Sequence, residues 1–278
     1  MYTQEESNRK MERIRMVIST RSVYVALVLS LLVAALSGAT PARASGTVMY
    51  VDANAVGAND GTSWTNAYVY LQDALDEANA NSTADYEIWV AAGLYHPDED
   101  SSGTRTPGDV SQAFEIAYDN IQMYGGFAGG ETSREERDWE ANLTVLSGDI
   151  DGNDTTGAHG ITESWEDIVG ANADTVVFLN ALDYGSITNA TVVDGFTVTG
   201  GAQGLQRYGD LGGGISCVGD PTHGWGCGPT LKNLVVIGNK VPATETQSES
   251  GDGGGVFIGL RASDTSNTQA TVASPVVS

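Results

Sequence analysis

The chain has 278 residues, with 13 basic and 36 acidic side chains and a net charge of −23. After Ser45 the balance is steeper, seven bases against 33 acids, net −26. Nucleic acid and anionic membrane are therefore excluded as partners, because like charge repels them. Aromatic and β-branched residues are plentiful enough to build a core, so the acidity is not a sign of disorder.

Residues 1–44 read as a secretory signal peptide. A basic stretch ends at Arg21, an apolar run covers Val23 to Leu36, and Ala42-Arg43-Ala44 fits a small-x-small cleavage site. The long basic stretch leaves the start codon open between Met1, Met11 and Met16. The apolar run is short for a bilayer span of about 20 residues, although an uncleaved anchor is the alternative. The expected location is secreted or on the outer cell surface, with no membrane span in the mature chain. Residues 45–278 read as a single domain whose first part, about 47–95, serves as its cap.

Strands are expected at Thr47 to Val51 and Ile88 to Ala91. Between them Leu71, Ala74, Leu75 and Ala78 recur at helical spacing, so a helix is expected over about 67–79. The polar stretch from Pro97 to Val110 reads as a loop. Further strands are expected at Phe114 to Ile116, Ile121 to Tyr124 and Thr144 to Leu146. The charged excursion from Ser133 to Asn142 reads as a short helix with Trp139 packing back. A long insertion, Asp149 to Ala173, leads to strands at Thr175 to Leu179 and Ser186 to Val193. Trp64, Trp139 and Trp165 are expected to be packing residues.

The chain then repeats itself. Val193 to Gly201 is echoed by Leu231 to Asn239, and Gly212-Gly213-Gly214 by Gly253-Gly254-Gly255. The glycine triplets start at 212 and 253, 41 residues apart, and proline-led strands start at 229 and 275, 46 apart. Such periods mark solenoids, and two strand patterns per unit imply about two turns of roughly 20 residues each. Alternation turns Phe196 and Val198 inward and leaves Thr197 and Thr199 facing out. A β-sandwich of glycine-rich hairpins is the competing fold.

The glycine-cornered strands resemble the right-handed parallel β-helix, the pectin-lyase-like fold. Tyr50 to Trp64, Glu87 to Pro97, Tyr124 to Ser133, Arg137 to Asn142, Leu146 to Asp149 and Asp194 to Gly201 resemble bacterial surface proteins of the β-helix-repeat, polymorphic outer-membrane type. The fold class expected is all-β, a right-handed parallel β-helix with an N-terminal capping helix and inserted loops. The resemblance implies a scaffold more than a reaction. Residues 253–278 begin a turn and stop within it, which reads as a truncated end or as one that associates end to end.

Cys217 and Cys227 are expected to form a disulfide. Two loops around the strand at 213–217 bring Arg207, Tyr208, Asp210, Asp220, His223 and Trp225 into one candidate ligand site. An aromatic plate with a cation and carboxylates is what a sugar-binding groove requires. Asp149, Asp151, Asn153 and Asp154 set oxygens at alternate positions, either as a loose calcium loop or as an Asx turn. Catalytic residues are not identified, since no lyase, hydrolase, P-loop or dinucleotide motif is present. The functional expectation is a non-catalytic scaffold, adhesin-like or touching polysaccharide or cell-surface glycans. A calcium-assisted polysaccharide lyase or glycoside hydrolase is the alternative, and a fragment without independent function a third reading.

Overall fold

The computed structural model describes residues 46–202, 212–241 and 254–260. Strands β1 (Thr47–Val51), β2 (Tyr86–Ala91) and β3 (Gly93–Tyr95) are followed by β4 (Phe114–Ile116), β5 (Ile121–Phe127) and β6 (Thr144–Ser147). Then come β7 (Val177–Ala181), β8 (Val192–Asp194), β9 (Thr197–Thr199), β10 (Ile215–Gly219), β11 (Thr230–Lys232), β12 (Val235–Val236) and β13 (Val256–Leu260). One α-helix, α1 (Leu71–Asn79), lies between β1 and β2.

The strands form three sheets, ordered β1-β2-β5-β8-β11, β4-β7-β10-β13 and β3-β6-β9-β12. Every pairing between named strands is parallel. From β4 onward the chain visits the second, first and third sheets in fixed rotation. Facing antiparallel sheets built from hairpins are thereby ruled out for the described residues.

The sequence repeats and the strand register coincide. Val193 pairs with Leu231 and Thr197 with Val235, each 38 positions on, while Ile215 pairs with Val256, 41 positions on. Each period therefore visits all three sheets once. The expectation of two turns per period is corrected: a third short strand, such as β9 or β12, lies in each period, so one repeat makes one circuit. A single circuit cannot enclose its own apolar side chains, so the core exists through contact between circuits.

Inward residues from all three sheets meet in one core, including Met123, Val193 and Leu231 from the first, Ile116, Leu179 and Cys217 from the second, and Leu146 and Val198 from the third. Full burial of a side chain such as Phe114 or Phe196 stabilises by about 1.5–3 kcal/mol. Thr197 and Thr199 leave the sheet on its outer side as expected, yet both are buried. The insertion covers Thr199, whose hydroxyl donates to Thr162 O at 2.6 Å.

Helix α1 turns Leu71, Ala74, Leu75 and Ala78 into the same core. It also serves the free edge of β4. Asn79 Nδ2 donates to Glu115 O at 2.8 Å, Asn79 Oδ1 accepts from Ala117 N at 3.0 Å, and Gln72 Nε2 donates to Ala113 O at 3.0 Å. Side-chain amides thus occupy positions that a further strand would fill. The helix starts four residues later than the pattern suggests because Tyr68 pairs with Val51 and Tyr70 keeps extended backbone angles. No helix among the described residues is long and apolar enough to cross a membrane. Residues 261–278, which include the second proline-led strand and the expected open end, lie outside the described residues.

Candidate functional site

The loop that leaves β10 is built by its own short-range chemistry. Cys217 lies in the core on β10, and its disulfide to Cys227, with Cα atoms 5.6 Å apart, closes the loop. Asp220 folds what lies between. Its carboxylate accepts from Thr222 N at 2.7 Å, from the Thr222 hydroxyl and from His223 Nδ1, while its carbonyl accepts from Trp225 N at 2.8 Å. Hydrogen bonds from Thr222 and His223 hold the Asp220 carboxyl down at about 2. The His223 ring stacks on Trp225, with centroids 4.5 Å apart and planes 21° apart. The His223 side chain is 61% exposed and Trp225 beneath it is half-buried, so the pair is partly open to solvent.

Two further loops lie beside it. β4, β7 and β10 are neighbours in the second sheet, so the segments that follow them, 117–120, 182–188 and 220–227, stack along one edge. Gly226 N donates to Ser186 Oγ at 3.1 Å, and Ile187 forms a parallel bridge with Cys227. One circuit back, Asp119 accepts from Thr188 N at 3.1 Å and from the Thr191 hydroxyl at 2.8 Å. Tyr118 and Tyr184 meet with ring centroids 5.3 Å apart, and Tyr184 is 48% exposed.

Of the six residues proposed from sequence, Asp220, His223 and Trp225 come together. Arg207, Tyr208 and Asp210 lie outside the described residues. Tyr118 and Tyr184 were missed. Tyr118 follows β4 by two residues and Tyr184 follows β7 by three, whereas Trp225 follows β10 by six, so setting the first two loops against each other would have found the tyrosine pair.

The quartet Asp149, Asp151, Asn153 and Asp154 does sit in one loop, and five of its six carboxylate oxygens accept hydrogen bonds. Asp149 accepts from Asn153 N at 3.0 Å and Asp154 N at 3.2 Å. Asp151 accepts from Asn153 Nδ2 and Ala171 N, both at 2.9 Å. Asp154 accepts from Val169 N at 2.7 Å and from the Thr162 hydroxyl and Asn172 Nδ2 at 2.9 Å each. Burial, with Asp154 and Asp151 close by, pushes the Asp149 carboxyl up. Among the described residues no three His, Cys, Asp or Glu side chains are placed to hold a metal. The arrangement fits the Asx-turn reading. It ties the insertion to the strand corner, where Asn172 Nδ2 donates to Gly200 O at 2.6 Å.

A groove of about 510 Å³ on the outer face of the first sheet was not foreseen. Tyr124, Asp194 and Lys232 rise from consecutive strands, and Arg134, Arg137 and Trp139 flank them. The expected short helix is only a 3-10 turn, Arg134–Glu136, because its Ser133 and Glu136 close a capping box at once and Arg137 returns to extended angles. Trp139 does pack back, against Gly126 (φ +96), where a β-carbon would lie 2.5 Å from Trp139 Cα. Arg137 donates to Gly125 O at 2.9 Å and to the Asp194 carboxylate at 2.7 Å, and Asn233 Nδ2 donates to the other Asp194 oxygen at 2.7 Å.

Arg134 lies over the Tyr124 ring at 4.6 Å, donates to its hydroxyl at 2.9 Å and pairs with Glu87 at 3.5 Å and Glu135 at 3.7 Å. Burial pushes the Tyr124 hydroxyl up, against the opposing pull of Arg134. Both guanidinium groups are thus engaged in latching the segment onto the sheet. Trp64 packs as expected, edge-on to Tyr50 at 4.9 Å. Trp165 does not: it is 55% exposed, with Lys240 Nζ 5.6 Å above its ring, because the insertion turns it away from the sheets.

No family model matches the chain, and searches among curated proteins and solved structures found no match either.

Proposed function

We propose that the chain is a secreted or cell-surface right-handed parallel β-helix that works without catalysis, as an adhesin-like scaffold contacting carbohydrate. The observation that carries this reading is the stacked His223–Trp225 pair, partly open to solvent on a disulfide-closed loop beside Asp220. Flat aromatic faces next to fixed polar groups are what sugar rings need, an apolar face to lie on and hydrogen-bond partners at the rim. The rotation of strands through three parallel sheets supports the coil, and the signal-peptide pattern of residues 1–44 supports the location.

The rival polysaccharide lyase needs an arginine or lysine base beside metal-binding carboxylates. Arg137 is spent on Gly125, Asp194 and the strand corner, and Arg134 on Tyr124 and two glutamates, so neither is poised to take a proton. The test is to incubate the secreted protein with neutral glycans and polyuronates, with and without calcium, following both retention and product formation. Retention without products, lost in Trp225→Ala, is expected. Release of unsaturated or reducing ends would replace this reading with an enzyme.

A further inference from the structure

Resting on that reading, we infer that Tyr118, Tyr184 and the His223–Trp225 pair form one platform for an uncharged glycan chain lying across successive circuits. The three loops follow adjacent strands of one sheet. At about 4.8 Å between strands they span near 10 Å, the reach of a short oligosaccharide. They are fastened to one another rather than hanging singly. Asp119 holds Thr188 and Thr191, Ser186 holds Gly226, and Ile187 bridges Cys227. A surface assembled this way keeps its rings in place before a ligand arrives, which lowers the cost of binding.

Charge selects the ligand. Segments 117–120, 182–188 and 220–226 carry Asp119, Asp183 and Asp220 and neither a lysine nor an arginine. A polyuronate or sulfated glycan would meet like charge along the whole platform, in a chain already strongly acidic. A neutral sugar meets rings for its C–H faces, with exposed Asp183, Ser186 and Thr222 at hand for its hydroxyls. The first-sheet groove, where Arg134, Arg137 and Lys232 meet Glu135 and Asp194, is mixed in charge and is not part of this surface.

The experiment titrates the secreted protein with short neutral oligosaccharides (gluco-, manno- and xylo-) and with oligogalacturonate by isothermal calorimetry. It compares the wild type with Tyr184→Ala, Trp225→Ala and the remote Glu140→Gln, all checked by thermal melting. Binding of a neutral oligosaccharide, weakened about tenfold or more by each aromatic substitution and unchanged in Glu140→Gln, is expected. Tyr184 is half exposed, and equal melting of Tyr184→Ala and wild type separates a lost contact with sugar from a disturbed fold. Binding of oligogalacturonate alone would overturn the ligand class. Neutral-sugar binding that falls in Trp225→Ala and not in Tyr184→Ala would overturn the continuous platform while leaving the scaffold reading in place. No binding of any glycan would overturn both.

Discussion

Replacing Arg137 with alanine should cost the fold about 3–4 kcal/mol. The guanidinium and its partner Asp194 are nearly covered, 11% and 7% exposed as side chains, and meet at 2.7 Å. Removing one member of such a pair costs about 3–5 kcal/mol, because the other charge is left in a poorly solvated place. Asn233 still donates to the second Asp194 oxygen, which draws the figure toward the lower end. Loss of the bond to Gly125 O adds about 1 kcal/mol. Urea unfolding followed by tryptophan fluorescence and circular dichroism reads the loss. Arg137→Lys should recover only part of it, since one ammonium cannot serve the carboxylate and the Gly125 carbonyl in the same geometry. A loss under about 1 kcal/mol would refute the view that this latch closes the corner between the first and third sheets.

The double substitution Cys217→Ser/Cys227→Ser opens a loop between residues ten apart and should cost about 3 kcal/mol; a melting temperature unmoved by the change would contradict this. Asp220 titrates near 2 when folded, below its unfolded value of about 3.9. Its contribution to loop order is therefore complete above pH 4 and disappears as pH falls toward 2. A carboxyl NMR titration with a midpoint close to 4 would show that the Thr222 and His223 bonds are not formed. Asn79→Ala removes two bonds to the free edge of β4 and should cost about 1–3 kcal/mol. It should also raise light scattering on storage, and a variant as stable and monodisperse as the wild type would argue against edge capping by α1.

Much of the frame was legible because local and long-range signals agreed. The β1 bounds, the buried face of α1 and the pairing of Val193 with Leu231 all follow from alternation, helical spacing and repeat offset. The third strand in each circuit was harder to see. Alternation at Phe196 and Val198 was legible, but β8 (Val192–Asp194) and β9 (Thr197–Thr199) read as one run, and the turn at Gly195 (φ +87) that sends them to different sheets leaves too few residues on either side to show the break. Expected strand 186–193 shrank to Val192–Asp194, because Thr188 and Thr191 are drawn into bonds with Asp119 from the circuit before.

The candidate site was half legible. Asp220, His223 and Trp225 are close in sequence and could be grouped by eye. Tyr118 and Tyr184 come onto neighbouring loops only through the stacking of strands whose loops lie scores of residues apart in sequence. The acidic quartet was left between two readings for a related reason. Its spacing matches oxygen ligands, but the donors that satisfy it, from Thr162, Val169, Ala171 and Asn172, come from the far end of the insertion.

The stacking of circuits is open to a direct distance measurement. Val48, Glu87, Gln122, Val192 and Thr230 occupy one register ladder across the first sheet. Spin labels at Val48 and Thr230, read by pulsed electron resonance, should lie four strand spacings apart, about 19 Å before allowance for the label arms. A pair at Val48 and Val192 should be one spacing shorter. If the two pairs gave equal distances, or if Thr230 came nearer to Val48 than Val192 does, the circuits would not stack in parallel, and the loop platform built on them would not exist.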